Sequence, residues 1–424
     1  MLEEFVGALP GMLAPALLVM TLSVLLGVGE GRDMPFSRRW RLYGLLIGLG
    51  AALVFTVLRV MVIVNRRSVV NLPVLIGCVV CDLLIVVAMI GSTRLVRNWR
   101  RYTVWLHAAN AVGAIGIALT TFFASQDVFM QLTSFVETGE SPFTSKMLLR
   151  TLGFVLGVGA AVLVAAIFRT MRTTAVRGSF LVASLLMMLI LLVRHLTQLC
   201  SLLMSLMIVQ FHGSVFQLLI VAANNNTKLV IASVLVFAIP AASSIVAGFR
   251  APLAGSNGAV VREHKAFRRR AKAAGAWSLI VMVAVTFALT AGIAKIHEQP
   301  TLSPPEGYSQ HNGVATIEFN KVDDGHLHRF EYKAKDGTVM RFIIIKKNGG
   351  SYGVGLDACM TCGDAGYYEK DGKIICKRCA VEMNVATIGF NGGCNPIPFP
   401  FEASHGKITI QTSDLDALSS HFKE

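Results

Sequence analysis

Residues 357–398 read DACMTCGDAGYYEKDGKIICKRCAVEMNVATIGFNGGCNPIP, and five of the chain's eight cysteines fall within them. Cys359 and Cys362 make one C-x-x-C, Cys376 and Cys379 make a second, and thirteen residues separate the pairs. That spacing lets two sulfur-bearing turns share one tetrahedral metal. Gly363 directly follows Cys362, where such a turn calls for a residue at ease with φ > 0. Cys394 is a fifth sulfur. Three readings follow: a redox-active thiolate metal site, a zinc-ribbon-like staple of a small β domain, or disulfides in an oxidising compartment. Five cysteines cannot all pair within the domain, so the last reading leaves one thiol over.

The remainder of the chain decides the compartment. Of 424 residues, 54% are apolar and 15% charged, a composition that belongs in a membrane. Eight apolar spans, near 5–28, 42–64, 72–92, 102–125, 147–168, 180–208, 229–249 and 275–294, each approach the ~20 residues that cross a bilayer. The first lacks a basic leader and a clear cleavage site, so it reads as a retained helix. The odd loops carry eighteen Lys and Arg, among them Arg32, Arg38, Arg39 and Arg41 in the first, and the even loops carry five. By the positive-inside rule the odd loops are cytoplasmic and both termini lie outside, which makes the cysteine-rich tail extracytoplasmic. The net charge of +14 is therefore an orientation signal, and nucleic-acid binding is set aside because no basic patch with interleaved aromatics occurs in the tail. No hydrolase motif or phosphate loop is present.

Arg59, Asp82, Arg194 and His195 fall inside the spans, where a central charge costs roughly 2.5–3.5 kcal/mol and usually faces a partner or cavity. Cys78 and Cys81 lie one helical turn apart beside Asp82. Together these six form a candidate polar site in the membrane, against the plainer reading of packing residues and a helix-pairing ion pair. His107 and His212, near span ends, are interfacial or, at matched depth, a haem pair.

The expected architecture is a polytopic helical domain (1–295), a linker (296–312) carrying Ser303-Pro304-Pro305, and a β-rich extracytoplasmic metal-binding domain (313–424). Strands are expected over 314–319, 326–334, 338–346 and 407–411, and a short helix over 415–422.

The motifs HLHRFEY, DACMTCG, GYY, CKRC and TIGFNGGCNPIPF behind a multi-span membrane part resemble the FtrD-like family of membrane Fe–S-containing proteins. The resemblance covers about 314–411. It implies a role in bacterial iron uptake beside an iron permease and a periplasmic iron-binding protein, with electron transfer coupled to iron oxidation or reduction. It places the family's cysteines on Cys359, Cys362, Cys376, Cys379 and Cys394, its histidine pattern on His326 and His328, and an iron or iron–sulfur cofactor among them. The residues themselves leave copper and zinc open, and a tail that folds outside the cytoplasm takes up a single ion more readily than a preassembled cluster. Two further functions stay in view: a metal-ion transporter or permease partner whose tail captures metal, and a zinc-stapled docking module.

Overall fold

The computed structural model describes residues 1–28, 37–136, 143–296, 298, 300–347, 349–370 and 372–423. Arg32 and the side chain of Arg38, counted among the cytoplasmic charges, lie outside this description. The chain divides into two compact units, Met1–His297 and Glu298–Glu424.

The first unit is helical: α1 (Leu2–Leu25), α2 (Ser37–Val60), α3 (Arg67–Arg97), α4 (Thr103–Met130), α5 (Ser145–Thr170), α6 (Arg177–Ser205), α7 (Gly213–Asn224), α8 (Asn226–Leu235), α9 (Ala238–Arg250), α10 (Gly258–Phe287) and α11 (Ile293–Ile296). Eight segments are long and apolar enough to cross a membrane, with α8–α9 forming the seventh and Gly258–Ile296 the eighth. The eight expected spans are thus present. Helix α1 is the hub: two thirds of its apolar window is buried, against 22% for the last span, and it packs on α4 and α5. In lipid no hydrophobic gain separates helix from bilayer, so close backbone approach through small residues carries the packing. Gly44 and Gly48 on α2 show it, since a Cβ there would meet Ala114 O of α4 at 2.4 Å and Ala118 O at 2.6 Å. Polar ties add register: Arg41 Nη1 donates to Asn110 Oδ1 at 2.9 Å, and Gln126 Nε2 to Asn71 Oδ1 at 3.0 Å. Helix α7 was not expected; at twelve residues it is too short to span, and none of its residues is buried.

The second unit holds three antiparallel sheets. The first joins β1 (Ser309–His311), β2 (Val314–Glu318), β10 (Lys407–Gln411) and β9 (Glu402–Ser404), and the second joins β3 (His328–Lys333), β4 (Val339–Lys346) and β5 (Tyr352–Leu356). The third joins β6 (Tyr367–Lys370), β7 (Lys373–Cys376) and β8 (Glu382–Met383), and α12 (Thr412–Asp416) follows β10. Strand β4 reads VMRFIIIK, and period-2 alternation sends its side chains to two cores. Met340, Phe342 and Ile344 join Phe330, Val354 and Ile408 in the larger one. Ile343 and Ile345 face the other way, into a smaller layer with Cys359, Cys362, Tyr367, Ile374 and Cys376. The thiols therefore rest on the back of a central buried strand.

Part of the expected linker belongs to this domain. Arg329 Nη1 donates to Ser303 O at 2.7 Å, the Glu306 amide donates to Arg329 O at 2.7 Å, and residues 309–311 form β1. The terminal helix expected over 415–422 is instead α12 followed by a short 3-10 turn at Ser419–Phe422.

Candidate metal centre

Both C-x-x-C segments fold into similar turns, closed by the same bond from the residue after the second cysteine to the first cysteine's carbonyl. In the first, Gly363 N donates to Cys359 O at 2.9 Å, Cys359 N donates to Gly363 O at 3.0 Å, and Gly363 has φ +66°. In the second, Ala380 N donates to Cys376 O at 2.9 Å, Cys376 N donates to Val381 O at 3.0 Å, and Ala380 has φ +56°. The Cys362 amide also donates to Cys359 Sγ at 3.1 Å. The β6–β7 hairpin sets the turns side by side, since the first precedes β6, the second follows β7, and Tyr367 pairs with Cys376.

All five thiols converge. Cys359, Cys362 and Cys394 form one group with mutual Sγ distances within 4.8 Å, and Cys362, Cys376 and Cys379 form another that shares Cys362. Cys379 Sγ and Cys394 Sγ are 3.8 Å apart. No disulfide links any of the eight cysteines. Cys359, Cys362 and Cys376 are buried, Cys394 is partly exposed and Cys379 is exposed. Burial pushes the Cys362 thiol pKa up, whereas the Val381 backbone bond holds Cys379 below the usual thiol value. A tetrahedral ion with metal–sulfur bonds of about 2.3 Å puts its sulfurs ~3.8 Å apart, so each three-sulfur group, and the 3.8 Å contact between Cys379 and Cys394, suits an ion's coordination shell. Thiolate donors as such serve iron–sulfur clusters, zinc and Cu(I) alike.

A second set of residues, not singled out from the sequence, braces the site. Asp357, fully buried two residues before Cys359, accepts from Arg329 Nε at 2.8 Å and Arg341 Nε at 3.1 Å through Oδ2, and from the Tyr367 amide at 2.8 Å through Oδ1. Arg329, 1% exposed, also donates Nη2 to Tyr367 O. Tyr367 Oη donates to Cys394 O at 2.5 Å, and burial, with the charge of Cys359 second, raises its pKa. Thr361 Oγ1 donates to Gly393 O at 3.2 Å, tying the first turn to the loop that carries Cys394.

His326 and His328 are engaged elsewhere. His326 precedes β3 and bonds Glu369 Oε1 at 2.8 Å. His328 bonds Glu306 Oε1 at 2.9 Å through Nδ1 and Asp324 Oδ1 at 2.8 Å through Nε2. Neither joins a cysteine group, and since the strand starts at His328 the two do not share a strand face.

Within the membrane unit, His195 Nδ1 of α6 lies 2.7 Å from Asp82 Oδ2 of α3, both buried. Cys78 and Cys81 are buried on α3 beside Asp82. Arg194 is not bonded to that pair; its Nε donates to Asn226 Oδ1 at 2.9 Å. Arg59 stands apart, in the last turn of α2. His107 opens α4 and His212 follows the end of α6. Successive crossings place those two helix ends on opposite sides of a membrane, so the two histidines cannot grip one haem.

Residues 322–422 match the model of the family described as "Membrane iron-sulfur containing protein FtrD-like". The match falls within the second unit and takes in all five clustered cysteines. No curated protein and no solved structure matches the chain.

Proposed function

We propose that the second unit is an extracytoplasmic thiolate-bound metal centre that passes electrons during bacterial iron uptake, anchored by eight spans in the cytoplasmic membrane. The observation that carries this reading is the convergence of five unpaired thiols, one of them exposed, in a domain matched by a family described as iron–sulfur-containing. Iron held there would supply two oxidation states one electron apart. The chain's own contribution is a braced cage: Asp357 and Tyr367 fix the first turn and the Cys394 loop, so the sulfurs need little reorganisation when charge changes. Exposed Cys379 gives a short route from solvent or a partner to the centre. The partners this reading implies are an iron permease and a periplasmic iron-binding protein.

The spacing within each three-sulfur group equally favours a zinc staple, which would make the domain a structural or docking module. Metal analysis and visible spectroscopy of the intact purified protein separate the two. A reversible, metal-dependent absorption change on treatment with dithionite and then a mild oxidant is expected. Stoichiometric zinc without such a change defeats the relay.

A further inference from the structure

Two cavities meet in the membrane unit at Phe123, Arg194, Gln198 and Asn226. The larger, about 420 Å3, adds Asn71 and Ser201 to its wall, and the smaller, about 190 Å3, adds Thr120 and His195. The larger is of the size that takes a small organic ligand. Its polar wall is not used up by the fold. Arg194 spends Nε on Asn226, leaving most of the five N–H donors of a guanidinium without a partner among the described residues. Asp82 Oδ1 is buried and unpartnered behind His195, and Thr120 Oγ1 has no nitrogen or oxygen partner, only the weak thiol of Cys78 beside it.

The charges and donors specify the ligand's class. Asp82 is tied to His195 and Asp127 to Arg67 at 2.9 Å, so no free carboxylate offsets Arg194, and a metal cation is disfavoured. His195 Nδ1 is engaged by Asp82 at 2.7 Å, which leaves Nε2 for a ligand, as an acceptor in the tautomer that donates Nδ1–H to the carboxylate, while Arg194 and Gln198 present donors. Phe123 stands edge-on to His195, centroids 6.4 Å apart, and offers an aromatic wall. Leu75, Leu202 and Leu229 complete an apolar surround. The flank of the larger cavity formed by α7, which contributes Ala222 and Ala223, is thinly covered, since that apolar helix has no buried residue.

We propose that these cavities bind the headgroup of a lipid-soluble quinol, one hydroxyl donating to His195 Nε2 and ring oxygens accepting from Arg194 and Gln198. The purpose of such a site, a membrane reservoir of reductant, rests on the electron-relay reading above, but its test does not. Full-length protein in lipid nanodiscs is photolabelled with an azidoquinone, with short-chain ubiquinol and menaquinol as separate competitors. Saturable labelling confined to the cavity-lining peptides of α1, α3, α4, α6, α7 and α8, and displaced by at least one competitor, is expected; which competitor acts identifies the quinone type. Arg194→Gln and His195→Asn should each weaken displacement on the order of tenfold, as loss of a buried hydrogen bond does. Ser201→Phe, which fills the larger cavity without touching the His195–Asp82 pair, should abolish labelling. Labelling spread over the lipid-facing helices, no displacement by either competitor, or full labelling of Ser201→Phe would overturn the proposal. Because no electron transfer to the cysteines is read, a redox-silent tail leaves this result unaffected.

Discussion

At the scale of single residues, the two turns differ in one atom that matters. Gly363 and Ala380 hold the same left-handed conformation, which is easy for glycine and costs an L-residue about 1–2 kcal/mol. Nothing lies within 4 Å of a Cβ built on Gly363, so its replacement tests backbone strain alone. Gly363→Ala should destabilise the first turn by about 1–2 kcal/mol and Ala380→Gly should relieve the second by a similar amount, read as opposite shifts in metal retention against a chelator. The sulfurs are not equivalent either. Cys362 belongs to both thiol groups, so Cys362→Ser should release the metal, whereas Cys394→Ser leaves both C-x-x-C pairs intact and should retain it; metal-to-protein ratios after desalting decide between them. The pairs were legible in the sequence because local spacing alone defines them. Their brace was not: Asp357 meets Arg341 and Arg329 across 16 and 28 residues, and no local pattern announces such a contact. Asp357→Asn would leave the buried Arg329 guanidinium poorly compensated, a loss of about 3–5 kcal/mol that should appear as a lower unfolding midpoint together with metal loss.

At the scale of elements, strand β3 is locked to the incoming chain by His328, whose two ring nitrogens lie against Glu306 and Asp324. Bonding both carboxylates requires both nitrogens to donate, which is the imidazolium. Burial alone would lower the His328 pKa, but the hydrogen bonds to Asp324 and Glu306 outweigh it and hold the pKa above the ordinary histidine value. The stabilisation is therefore complete below the unfolded pKa of about 6.5 and disappears as pH rises through the higher folded value. Hydrogen exchange at the Glu306 amide, which donates to Arg329 O, should accelerate over that window beyond its intrinsic rate, and His328→Gln should remove the dependence. Elements were legible where side chains alternate, as in β3 and β4, and hidden where glycine replaces them. Strand β5, YGVGL, reads as loop because Gly353 and Gly355 are poor strand formers. The fold needs them: a Cβ on Gly355 would lie 2.8 Å from Pro396 Cβ, in the segment that accepts the Leu356 amide through Ile397 O at 2.8 Å.

At the scale of the whole molecule, the number of crossings and the distribution of charge make independent statements about orientation. Eight spanning segments are an even number, so the two ends of the described bundle share a side whichever side that is. Charge then chooses it. The hydrophobic run ending near Ile296 starts within α10, whose first half carries Arg262, Lys265, Arg268, Arg269, Arg270 and Lys272, and moving such a cluster across the membrane opposes the potential at roughly 2.3 kcal/mol per charge per 100 mV. These charges belong with those in the last turn of α3 and just beyond it, Arg94, Arg97, Arg100 and Arg101, and with Arg169, Arg172 and Arg177 around the α5–α6 junction. In the proposed orientation the opposite side receives the five clustered thiols, and only there does their metal have to be acquired outside the cytoplasm. A reporter fused after Val260 should therefore register as cytoplasmic and one fused after Ser309 as extracytoplasmic. Neutralising the α10 cluster, Arg268, Arg269 and Arg270 to Gln together, should lower the fraction of molecules in that orientation, because it removes the nearest retaining charges from the final span. An inverted pattern in the unmodified protein would put the thiols in a reducing cytosol and remove the extracytoplasmic relay, while leaving the cysteine cage and its metal chemistry intact.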